Sequence, residues 1–320
     1  MSPEGVDIYV KWEAYNPMLS AKDRLSVGLI RWAVAHGKLQ PGQGVVDVLK
    51  GSSGFGLALA CMENNLPLVA VVDSSYEGDW RRLMRLMGTK VLVTDRPEST
   101  ASRLAEKNGW FLCAEHRRDA NPWIHEQTTG PEILEAMGQR PLSYFMAPHG
   151  TGGMLGGVGK VLRSRSPHTK ICVVEQDSRP HPEYEASIGP HYSWPDELLR
   201  GWTTDFNPTD ISRDLREAYV DETERVSGHE AMDVARTLAQ TEGILTGISG
   251  GALAAGALRV ARRAPPGSSV LAVLLDTSHV HLRTPLVQGS PREMSDDEKQ
   301  LLAQGSARSS KSSGELDGHF

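Results

Sequence analysis

The sequence predicts an α/β protein built on parallel sheets, and three observations carry that expectation. Its 320 residues are enough for two lobes or one large α/β unit with a substantial core. Short β-rich runs alternate with helical stretches along most of the chain. Three glycine-rich turns, KGSSGFG (50–56), HGTGGMLGG (149–157) and TGISGGALAAG (246–256), each join a strand to a helix.

The elements follow in chain order. In NPMLSAKDRLSVGLIRWA (16–33), Leu25, Val27, Leu29 and Ile30, continued by Trp32 and Ala33, mark an amphipathic helix. Ser20 with Asp23 three residues on is an N-cap pattern. The runs GVVDVL, PLVAVV, KVLVT, WFLCA, SYFMA, KICVVE and VLAVLL read as strands. Between them GFGLALACMENN, DWRRLMRLMG, ASRLAEKNG, GPEILEAMG, HEAMDVARTLAQTEG and GGALAAGALRVARRA read as helices. HRRDANP (116–122) reads as a solvated turn. Residues 178–210, rich in Pro, His and Trp, read as a loop over a site or at an interface. After residue 286 the chain turns Ser- and charge-rich, and 287–320 is expected to be disordered apart from one helical turn.

Composition excludes several function classes. The formal net charge of −6 comes with interspersed signs and no basic, aromatic-laced stripe, which argues against nucleic acid. No apolar run reaches membrane-spanning length, and MSPEGVDIYVKW lacks the regions of a signal peptide. Cys61, Cys113 and Cys172 lie far apart in apolar stretches without metal spacing, and read as buried thiols of a cytoplasmic protein. His279 and His281 form a His-x-His pair with no third ligand nearby, so no metal is expected.

Lys22 stands in the first turn of its predicted helix, a poor place for a cation because the dipole there is positive. A glycine-rich turn opening a helix points backbone N–H groups at an anion. None of the three turns matches the P-loop, and GTGGMLGG does not fit the dinucleotide fingerprint. A lysine together with a phosphate cradle suggests pyridoxal phosphate, whose aldehyde takes up an amine as a Schiff base.

NPMLSAKDR, EQTTGPEI, HGTGGMLGGVGK, ICVVEQDS and EGILTGISGGA occur in the order and approximate spacing of one family. From about residue 9 to about residue 284 the chain resembles the cysteine synthase and cystathionine β-synthase family, the fold type II group of pyridoxal-phosphate enzymes. The resemblance implies two α/β lobes, each a mostly parallel twisted sheet flanked by helices, with the cofactor between them. It divides the chain into an N-terminal lobe (20–120) and a C-terminal lobe (121–286, joined by a strand at 7–16). It implies that Lys22 is the Schiff-base lysine and that Gly150, Thr151, Gly152 and Gly153 hold the 5′-phosphate. Met154 stands where the family usually has threonine, which removes one hydroxyl donor. Ser249 falls where the family hydrogen-bonds the pyridine nitrogen, and a helix N-cap is a further role it could fill or share. The implied activity is β-replacement on an O-activated serine such as O-acetyl- or O-phosphoserine, through an aminoacrylate, in a homodimer.

The departures from the family cluster at the substrate. The family loop Thr-Ser-Gly-Asn-Thr-Gly, which grips the substrate carboxylate, reads here Gly51, Ser52, Ser53, Gly54, Phe55 and Gly56. Gly54 therefore replaces the asparagine beside the cofactor's 3′-oxygen. Glu115 falls on a substrate-facing glutamine, and His116 follows where an aromatic is usual. A second family loop, Gly-Ile-Gly-Ala-Gly-Phe, corresponds loosely to GWTTDF (201–206), and the resemblance implies that Thr203 and Asp205 lie toward the mouth. These changes imply a specialised amino-acid donor or a specialised nucleophile, for which Glu115 would act as general base. Two alternatives stay open: β-elimination in the manner of a serine dehydratase, and a pyridoxal-phosphate-binding relative without turnover that acts as partner or regulator.

Overall fold

A computed structural model describes residues 2–49, 52–74, 78–113, 120–148, 150–177, 211–282, 284–288 and 292–309. Two all-parallel sheets organise them. One has four strands in the order β4 (Lys90–Val93), β3 (Leu68–Val72), β2 (Val45–Val48), β5 (Phe111–Leu112). The other has five, ordered β1 (Asp7–Trp12), β9 (Ser269–Leu274), β6 (Tyr144–Pro148), β7 (Lys170–Gln176), β8 (Glu222–Val226). β3 is apolar throughout, β9 is apolar after Ser269, and both are buried along their whole length, as strands covered on both faces are.

Helices α1 (Lys22–Ala35), α2 (Ser53–Glu63), α3 (Gly78–Leu86) and α4 (Pro97–Asn108) surround the smaller sheet. α5 (Ala120–Gln127), α6 (Thr129–Met137), α7 (Gly153–Arg165), α8 (Ile211–Tyr219), α9 (Gly228–Glu242) and α10 (Ile248–Arg263) serve the larger one, and α11 (Pro285–Gln288) and α12 (Asp296–Ser309) follow. α9 begins on Ser227, whose hydroxyl accepts the Glu230 N–H, and ends on left-handed Gly243. No helix among the described residues is long and apolar enough to cross a membrane.

The N-terminal strand pairs with β9 in the larger sheet but is shorter than the expected 7–16, because the chain turns at Trp12 into a 3-10 turn, Glu13–Tyr15. The tail differs more. Where one helical turn was expected, α12 runs for 14 residues. Its start is a reciprocal cap: Ser295 N–H donates to Glu298 Oε2 (2.5 Å) and Glu298 N–H to Ser295 Oγ (3.2 Å). Three acidic residues in its first turn complement the helix dipole. All three cysteines are buried and unbridged, and burial pushes the Cys61 and Cys172 thiols up to about 12, with nearby carboxylates adding to the effect.

Candidate active site

Lys22 opens α1 where three segments meet. The Lys22 N–H donates to Ser20 Oγ (3.2 Å), and that oxygen lies 3.1 Å from Ser52 Oγ at the start of α2. The Ala21 N–H donates to the Leu275 carbonyl (2.8 Å), and Ser20 forms an antiparallel bridge with Asp276 just past β9. The Asp276 carbonyl in turn accepts from Thr246 Oγ1 (3.4 Å), immediately before α10. The lysine, the start of α2 at Ser52 and the segment carrying Ser249 thus converge on one spot, although they lie far apart in sequence. The cap of α10 falls on Gly247 with no side-chain bond, so the capping alternative for Ser249 is not realised.

The expected pairing of Ser20 with Asp23 is displaced. The Asp23 carboxylate instead accepts the Met18 N–H (2.6 Å), closing the loop before the helix. Burial is the main reason its carboxyl rises from 3.8 to about 6; Glu13 adds to the rise, while the Met18 bond and Arg24 oppose it. Arg24 makes a two-pronged pair with Glu132 (2.7 and 2.8 Å) and reaches Glu13 at 2.6 Å. Lys11 joins Glu132 at 2.7 Å. Two cations therefore compensate two carboxylates, one of which, Glu13, is only 1% exposed. This network ties the lysine motif KDR to the distant GPE motif of α6.

The second half of the site is the start of α7. Gly152 has φ +77°, a left-handed conformation that needs glycine, and no side chain caps the helix there. The first backbone N–H groups of a 13-residue helix are thus left for an anion. Thr151 receives a hydrogen bond from Asn121 Nδ2 (2.9 Å), and the Asn121 amide fills the volume that a Cβ on Gly153 would need. The Met154 side chain is buried in the cluster that also holds Ala21 and Leu155.

α5 stands between the two halves. A Cβ on Gly28 of α1 would come within 2.5 Å of Ile124, and one on Gly157 of α7 would overlap the Pro122 carbonyl and crowd His125. Glycine at both points lets α5 pack closely between α1 and α7, through the Ile124 side chain on one side and its own backbone on the other. His125 is buried with its Nδ1 at 2.8 Å from Thr129 Oγ1. Burial, then Lys22 and Arg24, hold the imidazole down at about 3 against the opposing pull of Glu132, so it stays neutral.

In the loop expected to meet the substrate, Ser52 lies beside Ser20, while Ser53, Gly54 and Phe55 are buried in the first turn of α2. The Phe55 ring packs edge-on against Trp80 (centroids 5.7 Å apart) inside the core of the smaller lobe. Its side chain is a packing element, because α2 turns that position toward the sheet. Phe55→Thr should therefore cost about 2–4 kcal/mol of stability, measured by urea unfolding, whatever it does to substrate. Gly51, Glu115, His116, Thr203 and Asp205 lie outside the described residues. Sequence reasoning missed Asn121 and His125: the described part of HRRDANP opens helix α5, with Asn121 buried in its first turn. The ANP-x-x-H spacing within that segment was the available signal.

An α/β molecule whose helix-terminal lysine shares a junction with the start of a second helix, and which also holds an open, glycine-lined helix N-terminus, fits a class: enzymes that anchor an aldehyde by an amine and a phosphate by backbone. The residues present fit pyridoxal phosphate in both respects. The chain belongs to the pyridoxal-phosphate dependent enzyme family, whose model matches residues 2–276. It is 34% identical over 303 residues to an O-ureido-L-serine synthase of Streptomyces lavendulae, covering 93% of this chain and 90% of that one. A cysteine synthase of Staphylococcus aureus is 33% identical over 286 residues, with 88% and 89% covered. Among solved structures, an O-ureido-L-serine synthase superposes with TM-score 0.82 at 34% identity (95% and 93% covered). An O-acetylserine-dependent cystathionine β-synthase from Helicobacter pylori superposes with TM-score 0.76 at 28% identity, covering 88% and 90%.

Proposed function

We propose that the protein catalyses β-replacement on an O-activated serine, with Lys22 as the cofactor-bearing amine and the group that moves the α-proton. The observation that carries this reading is the junction of Ser20, Ser52 and Asp276 around Lys22, which brings the lysine to the substrate loop. Bound pyridoxal phosphate supplies an aldehyde that takes up the substrate amine and a ring that accepts electrons from Cα. Gly150, Thr151, Gly152 and Gly153 hold its phosphate, and the Ser249 hydroxyl serves the ring nitrogen. A neutral hydroxyl there leaves the ring a moderate electron acceptor, suited to elimination across Cα–Cβ. The backbone of Ser52, Ser53 and Gly54 receives the substrate carboxylate. Lys22 Nζ removes the α-proton, the activated oxygen leaves Cβ with the bonding pair, and Lys22 returns the proton to Cα after the nucleophile has added at Cβ.

The altered loop and Glu115 support a specialised second substrate, with Glu115 taking the proton that the nucleophile loses. Relatives named for O-ureido-L-serine and for cysteine stand at nearly equal identity, 34% and 33%, so overall similarity favours neither nucleophile. The reading includes a homodimer in the cytoplasm, which sedimentation of the purified protein and fractionation of the source cells test.

Two measurements examine it. Gly152→Asp sets a carboxylate against a phosphate and strains a left-handed residue; it should weaken pyridoxal phosphate binding about a hundredfold. Full occupancy of that variant at low cofactor would move the phosphate elsewhere. With O-acetylserine as donor, turnover with sulfide should be weak, and product analysis with sulfide and with N-hydroxyurea compares the two nucleophile types. Efficient sulfide turnover would remove the case for a specialised site.

A further inference from the structure

We infer that Asn121 is a positioning residue of the phosphate cradle, acting through the hydroxyl of Thr151. The inference rests on the proposed assignment of Gly150–Gly153 to the phosphate. Asn121 is 3% exposed, so its amide is not exchanging partners with solvent. Its Nδ2 lies 2.9 Å from Thr151 Oγ1, and its Oδ1 faces Gly153, the residue with no side chain to displace it. An amide NH₂ can only donate, whereas a hydroxyl has one proton and two lone pairs. Thr151 Oγ1 therefore accepts here, and its single proton is left to point away from Asn121. The loop's backbone donors cluster beside it at the start of α7, so that proton completes an array of donors for a dianion.

α5 holds the amide in place. Pro122 and His125 lie against Gly157, and Ile124 lies against Gly28, so the helix carrying Asn121 is fixed on both sides. A buried asparagine in a tightly held first turn, aimed at the one hydroxyl of the cradle, sets a proton's direction and need not touch the ligand.

The test titrates the full-length apoprotein with pyridoxal phosphate and, separately, with pyridoxal, which lacks the phosphate. Asn121→Asp keeps the shape but can only accept, so it turns the Thr151 proton inward and adds negative charge. It should weaken pyridoxal phosphate at least about tenfold and leave pyridoxal within about twofold. Asn121→Ala and Thr151→Val should each weaken pyridoxal phosphate about tenfold, and their double variant should be no worse than Thr151→Val alone. The ³¹P resonance of the bound cofactor should shift in each variant, whereas Thr151→Ser, which keeps the hydroxyl, should retain both shift and affinity. Equal weakening of pyridoxal and pyridoxal phosphate would show that Asn121 only packs, and would overturn the inference. Multiplying effects in the double variant, or wild-type affinity in Asn121→Asp, would overturn it as well. If Thr151→Val and Gly152→Asp both leave pyridoxal phosphate affinity unchanged, it is the cradle assignment itself that fails.

Discussion

Lys22→Ala is expected to abolish turnover and to leave no site at which borohydride can fix the cofactor. Borohydride treatment of the wild-type holoenzyme followed by peptide mass mapping should place the pyridoxyl label on the peptide containing Lys22 and on no other. The expectation comes from where the side chain starts. Its backbone is held on one side by the Ser20 hydroxyl and, one residue earlier, by the Leu275 carbonyl, so the amine projects from a fixed point. Loss of a positioned proton-transfer group alone removes roughly 10²- to 10⁴-fold in rate, and loss of cofactor attachment adds to it. Because Lys22 is half-buried at a helix end and not in the core, the variant should fold normally. A label on another lysine, or a turnover loss under about tenfold, would displace Lys22 from the centre of the mechanism.

The second large effect concerns pH and stability. Asp23 titrates near 6 in the fold against 3.8 unfolded, while His125 titrates near 3 against 6.5. The signs oppose each other. The raised Asp23 contributes stability that is complete below about pH 4 and is lost as pH rises through about 6. The depressed His125 contributes stability that is complete above about pH 6.5 and is lost as pH falls toward about 3. Between about pH 4 and 6 the native state holds one extra proton on Asp23 and lacks one on His125. The two slopes therefore cancel, and wild-type stability from these groups is flat. Asp23→Asn should unmask the histidine and make the protein lose up to about 5 kcal/mol on acidification. His125→Asn, whose amide can keep the Thr129 bond, should unmask the aspartate and reverse the slope, with a loss of up to about 3 kcal/mol as pH rises. Urea unfolding across this range reads the slopes directly, and parallel curves for the two variants would show that the residues are not coupled oppositely to folding.

Much of this was legible in the sequence because hydrophobic periodicity reports burial. The apolar runs that became β3, β6, β7 and β9 could hardly be anything else between helical stretches. β8 escaped notice for a physical reason: ETERV alternates charge at a sheet edge, and its carboxylates are neutralised across the fold. Glu222 pairs with Arg263 (2.8 Å) and Lys170 (3.0 Å), and Glu224 with Arg263 (2.6 Å). Such compensation is invisible locally. The ends of α1 and α7 were recognisable from Lys22 and the glycines, but the partners that hold them were not. Asn121 reaches Thr151 across 30 residues and Arg24 reaches Glu132 across 108, and only the folded chain brings them together. The reciprocal cap of α12 shows the opposite case, a local signal (Ser295 and Glu298 three apart) outweighed by the polar composition around it.

The wedge made by α5 has a consequence for how the sequence can change. The gap between Lys22 and the start of α7 is gauged by α5 lying on bare glycines, with the Ile124 side chain against Gly28, the Asn121 amide against Gly153 and the Pro122 carbonyl against Gly157. A dimension fixed by contacts this close leaves little room for small increments, since a methyl group on any of these glycines would come within 2.5 Å of a neighbouring atom. Libraries that select this scaffold for new nucleophiles should therefore accumulate their useful variation around the mouth. They should return glycine at these three positions every time, although Gly28 and Gly157 are not proposed to touch any ligand.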